Sequence, residues 1–86
     1  MVDSRPIRSL ILYTHQACGL CDHMALALEL LRPKYRFHYT KVDVDTDEDL
    51  VSRYGLRVPV LVEREHEICA GPCEPAALEA YLAINE

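Results

Sequence analysis

The stretch Leu10-Ile11-Leu12-Tyr13-Thr14-His15-Gln16-Ala17-Cys18-Gly19-Leu20-Cys21-Asp22-His23-Met24 decides how the rest of the chain is read. It opens on an apolar run at consecutive positions, the pattern of a strand covered on both faces, which predicts a central strand over Arg8 to Thr14. It closes on a run of helix formers, and at the junction stand two thiols three residues apart. A helix starting at Cys18 or Gly19 places Cys18 among backbone N–H groups without intrahelical partners, at the positive end of the helix dipole. Both features favour its thiolate. Cys21, one turn further in, comes up on the same face. The pair can therefore close a short disulfide and reopen it, with Cys18 attacking and Cys21 resolving.

Reading outward, Gly19 to Arg32 is predicted as the first helix, with Leu20, Met24, Ala27, Leu28 and Leu31 on one stripe and Pro33 as its stop. Leu26 and Leu30 fall off that stripe, which leaves either a second packed side or an apolar edge. Tyr35 to Val44 alternates as a second strand, with Tyr35, Phe37 and Tyr39 on one face. Asp43, Asp45 and Asp47 are spaced like the first ligands of a calcium loop. Its sixth position, however, is Glu48 and its twelfth is Tyr54, so that reading is rejected. A short helix over residues 47–54 fits better, capped by Thr46 with Asp49 in a capping-box contact and ended by Gly55 in a left-handed conformation. Val58 to Val62 is a third strand that carries Pro59 at its beginning, where a lost backbone donor would be costly in a central position. A turn at 63–67, without Gly or Asn, leads to a fourth strand at 66–69. Pro75 to Ile84 forms the last helix, with Glu74 at or near its cap and Leu78, Tyr81 and Leu82 facing inward. The element order is βαβαββα.

Composition narrows the function classes. Eighty-six residues make a single domain over 1–86, with residues 1–6 expected as a loose tail. A net charge of −5, with nine scattered basic residues, disfavours nucleic acid. No apolar run approaches a signal-peptide core or a membrane span, so a cytoplasmic location and no membrane contact are expected. A monomer is expected, with a weak homo-oligomer through Leu26 and Leu30 as the alternative.

Three motifs together resemble a glutaredoxin, the minimal thioredoxin fold, over essentially the whole chain. They are the strand–Cys18-Gly19-Leu20-Cys21–helix junction, the Val58-Pro59 pair, and Ala70-Gly71-Pro72-Cys73-Glu74 ahead of the last helix. The resemblance is closest to short glutaredoxin-like proteins. It implies an α/β, thioredoxin-like fold, a mixed four-stranded sheet with three helices packed on its faces. It also implies a cis bond before Pro59 that turns the Val58 backbone toward Cys18 as a docking edge for a thiol peptide. The turn at Gly71 and Cys73 would then face the dithiol, as the turn that holds the γ-glutamyl end of glutathione does in glutaredoxins. His15 stands where many glutaredoxins carry Lys, and Arg57 where they often carry Thr.

The candidate site is thus Cys18 and Cys21 for catalysis, with His15, Arg57, Val58, Pro59, Gly71 and Cys73 binding substrate. His15 would support the Cys18 thiolate and Arg57 would meet a substrate carboxylate or lie along the surface. Cys69 reads as a buried filler with no bridge to Cys73. The reaction is thiol–disulfide exchange on protein disulfides or glutathione mixed disulfides, with no bound cofactor and with glutathione as reductant or substrate. The alternative is a zinc or iron–sulfur module using Cys18 and Cys21, because Cys69, Cys73, His15 and His23 bring the ligand count to four or more.

Overall fold

The computed structural model describes residues 8–16, 18–71 and 73–84; the expected tail at 1–6, Ala17 and Pro72 lie outside them. Four strands, β1 (Arg8–Thr14), β2 (Phe37–Asp43), β3 (Val60–Glu63) and β4 (His66–Ala70), form one mixed sheet in the order β2-β1-β3-β4. β1 runs parallel to β2 and antiparallel to β3, and β3 is antiparallel to β4. Three helices complete the fold: α1 (Gly19–Leu31), α2 (Glu48–Tyr54) and α3 (Pro75–Ile84). This is the expected βαβαββα order and thioredoxin-like architecture. No described helix is long and apolar enough to cross a membrane.

The consecutive apolar residues of β1 divide between two cores. Leu10 and Leu12 point to the face covered by α1 and α3, where they meet Met24, Leu28, Leu31, Leu61, Leu78 and Leu82. Tyr13 points the other way, to Val44, Tyr54, Val60 and Val62, and its ring stacks on Tyr54 of α2 with centroids 4.2 Å apart. A strand covered on both faces needs no polar alternation, which explains the run in the sequence.

Several element ends differ from expectation because local hydrogen bonds fix them. The α1 stripe that reaches the core is Cys21, Met24, Ala25, Leu28 and Leu31. Leu20 lies about one residue's rotation off it and is 48% exposed, while Leu26 and Leu30 are open to solvent. Tyr35 is not in β2, because its N–H donates to the Leu31 carbonyl in the turn that closes α1. Val44 opens a 3₁₀ turn, Val44–Thr46, rather than ending β2. Asp47, not Thr46, caps α2: its Oδ1 accepts from the Asp49 N–H at 2.8 Å, while the Thr46 hydroxyl donates to the Asp43 carbonyl. Gly55 is right-handed, at φ −53° and ψ −37°, so a left-handed cap is not what selects glycine. A Cβ there would lie 2.6 Å from the Val51 carbonyl oxygen, so close approach selects it instead.

Candidate functional site

Cys18 is the N-cap of α1. Its backbone is extended, its Sγ accepts the Cys21 N–H at 3.1 Å, and its carbonyl accepts from the Asp22 N–H. The sulfur thus takes the place of the usual capping oxygen. Cys18 and Cys21 are disulfide-bonded with their Cα atoms 5.2 Å apart. Cys21 is 4% exposed against the core, whereas Cys18 is only half-buried, so the two sulfurs are chemically unequal. Asp22 is exposed in the same first turn and opposes the positive helix end.

The sheet register brings the other parts to this end of the molecule. Tyr13 pairs with Val60, so the next antiparallel step sets Pro59 across from Thr14, where the loop to Cys18 departs. Val60 also pairs with Ala70, which sets Gly71 beside Pro59, and the Gly71 N–H donates to the Pro59 carbonyl at 2.7 Å and to the Arg57 carbonyl at 3.1 Å. The Val58–Pro59 peptide bond is cis and Pro59 is buried. Gly71 has φ +71°, a conformation costly for residues with a Cβ, and nothing lies within 4 Å of where that Cβ would stand. Torsion rather than crowding selects glycine there. No backbone hydrogen bond engages Val58 among the described residues.

Other predicted site residues are partnered within the chain. The guanidinium of Arg57 donates to both Glu67 carboxylate oxygens, at 2.7 and 2.9 Å, and to the Arg53 carbonyl at 3.0 Å. The His15 Nδ1 donates to the Gln16 carbonyl at 2.8 Å. Cys69 and Cys73 are free thiols, both packed against the larger core. Burial, with a hydrogen bond to Cys73 second, pushes the Cys69 thiol up to about 12.

A groove of about 490 Å³ runs between the first two turns of α1 and the β4–α3 turn, lined by Leu20, His23, Met24, Ala27, Gly71, Cys73, Glu74 and Pro75. Gly71 and Cys73 line this groove together with α1 residues, and neither Cys18 nor Cys21 is in its lining. The sequence reading did not place Leu20, Met24, Ala27 or Pro75 near the site; it named His23 only as a ligand in the metal alternative and Glu74 only at the α3 cap and as the end of the Ala70–Glu74 turn. Leu20, Met24 and Ala27 already stood on the predicted stripe; in the structure Met24 belongs to the core, while Leu20 and Ala27 lie at its edge and line the groove. Among the described residues, no group of three or more His, Cys, Asp or Glu side chains is placed to hold a metal ion.

Residues 9–83 match the sequence profile of the glutaredoxin-like domain (DUF836) family. The chain is similar to protein Ne2328 from Nitrosomonas europaea, solved by solution NMR, at 32% identity over 95% of this chain and 99% of that one, with a TM-score of 0.79. Protein XcR50 from X. campestris, solved by X-ray, is 36% identical over 87% and 96% of the two chains, with a TM-score of 0.75. A mutant thioredoxin from Halobacterium salinarum NRC-1 is 27% identical over 88% of this chain and 72% of that one, at a TM-score of 0.64. Among curated proteins none is significantly similar to the chain. The shared fold and the bonded Cys18–Cys21 pair support a thiol redox function.

Proposed function

We propose, given that this chain belongs to the glutaredoxin-like domain family, that it is a thiol–disulfide oxidoreductase with Cys18 as nucleophile and Cys21 as resolving thiol. One observation carries the reading: the two bonded sulfurs at the start of α1 differ in access, Cys18 at the cap and Cys21 inside. In the reduced protein the Cys18 thiolate attacks one sulfur of a substrate disulfide and expels the other as a thiolate, which takes up a proton. Cys21 gives up its proton and attacks the Cys18 sulfur, releasing the second substrate thiol and leaving the Cys18–Cys21 disulfide. Two electrons have passed to the substrate, and two equivalents of an external thiol, or one dithiol, return them and leave as a disulfide.

The Val58 backbone, adjoining Pro59 and carrying no backbone partner among the described residues, supplies the edge against which a substrate backbone pairs. Gly71 holds that edge through its bond to the Pro59 carbonyl. The substrate class on this reading is protein disulfides or glutathione mixed disulfides, with glutathione as reductant.

The test is a pair of variants. Cys18→Ser should abolish disulfide reduction, while Cys21→Ser should accumulate a mixed disulfide between Cys18 and the substrate, visible by mass spectrometry. Equal loss in both, with no trapped adduct, contradicts the proposed roles.

A further inference from the structure

Resting on the oxidoreductase reading above, we propose that the substrate is a polypeptide disulfide carrying a large apolar side chain beside its cysteine, and that glutathione mixed disulfides are poor substrates. The groove between α1 and the β4–α3 turn, whose lining includes Leu20, the residue before Cys21, is the reason. Leu20, which separates the two cysteines in sequence, is nearly half exposed on its wall, and Met24, Ala27 and Pro75 continue the apolar lining. An apolar side chain laid along it would remove Leu20 from water, and the gain grows with the apolar surface covered.

Glutathione presents the opposite chemistry. It carries two carboxylates, and recognition of carboxylates draws on cationic or N–H-rich partners. None of the described residues lining the groove is Lys or Arg. Arg57, the cation nearest in sequence to the docking edge, is committed to both oxygens of Glu67. Glu74 in the lining and Asp22 in the first turn of α1 are exposed anions, so a tripeptide with two carboxylates meets like charge at both. A basic residue near the apolar one in the substrate would be attracted to the same two groups.

The experiment compares the reduced protein acting on four substrates, with rates normalised to the fourth: a peptide disulfide with Leu beside the cysteine, the same peptide with Glu there, its glutathionylated form, and a small uncharged disulfide. The Leu peptide should be reduced at least about tenfold faster than the Glu peptide or the glutathionylated form, within the range one apolar contact gives. Leu20→Ser should reduce that preference, and Glu74→Lys should raise the relative rate on the glutathionylated form several-fold. If the small disulfide is reduced but the glutathionylated form equals or exceeds the Leu peptide, the substrate assignment is overturned and the oxidoreductase reading stands. If no disulfide is reduced, both fall.

Discussion

Cys18 owes its chemistry to a position that a two-residue shift along the chain would abolish. At the N-cap its sulfur accepts the Cys21 N–H and faces the positive end of a helix of 13 residues. In the reduced protein these features favour the anion, and Asp22 moderates the effect. Cys18 should therefore titrate below the free-thiol value of about 8.5. Cys69, pushed up to about 12 by burial, should resist alkylation throughout. Iodoacetamide labelling of the reduced protein from mildly acidic to mildly basic pH, followed by peptide mapping, should find Cys18 modified first and Cys69 last. Labelling of Cys69 ahead of Cys18 would refute this order. The dithiol was legible because a C-x-x-C between an apolar run and a helix pattern has few other readings. Gly55 was not, because its reason is the position of the Val51 carbonyl, which no sequence pattern encodes.

At the scale of elements, the existence and order of the strands and helices were readable from apolar spacing, while their ends were set by hydrogen bonds that spacing does not reveal. The hairpin between β3 and β4 shows this most clearly. Its two turn residues, Arg64 at φ +50° and Glu65 at φ +69°, are both left-handed, the pattern of a tight two-residue hairpin that ordinarily takes Asn-Gly. Without Gly or Asn the turn could be placed only loosely from the sequence. The conformation costs roughly 1–2 kcal/mol per residue with a Cβ. Glu65→Gly relieves that cost at one position, against about 0.4–1 kcal/mol of added unfolded-chain entropy. The net gain should be about 0.5–1 kcal/mol, a rise in Tm of several degrees for a domain this small. Thermal melts of the wild type and Glu65→Gly check it, and an unchanged or lowered Tm contradicts the strained-turn account.

Across the whole molecule, one polar cluster joins the centre of the sheet to the last helix. Arg8 on β1 donates to both carboxylate oxygens of Glu63 on β3, at 2.9 and 2.6 Å, and to the Leu82 carbonyl of α3 at 3.1 Å. Tyr81 donates its hydroxyl to Glu63 at 2.8 Å, and the Arg8 guanidinium lies over the Tyr81 ring, 5.1 Å from its centroid. The side chains of Arg8 and Glu63 are only 14% and 15% exposed, so the pair is screened less than a surface ion pair. The Arg8 hydrogen bond, above all, holds the Glu63 carboxyl below its usual range, and the Tyr81 hydroxyl adds to the effect. A carboxyl whose pKa is lower in the folded than in the unfolded chain stabilises the fold above its unfolded pKa of about 4.3. That stability is lost as pH falls through the lower, folded value. Glu29 and Glu79 are shifted the same way by their own partners, so Glu63 supplies part of the acid limb and not all of it. Glu63→Gln should cost about 1–3 kcal/mol at neutral pH, the worth of charge-assisted bonds and of leaving Arg8 poorly paired. It should also make stability fall less steeply as pH drops from about 5 to about 3. Tyr81→Phe, which removes one bond, should cost about 1 kcal/mol and keep most of the wild-type slope. Urea unfolding at neutral pH and at several steps down through that acid range reads all three proteins. If Glu63→Gln loses stability with acid as steeply as the wild type, Glu63 is not the group that couples the sheet and the last helix to pH.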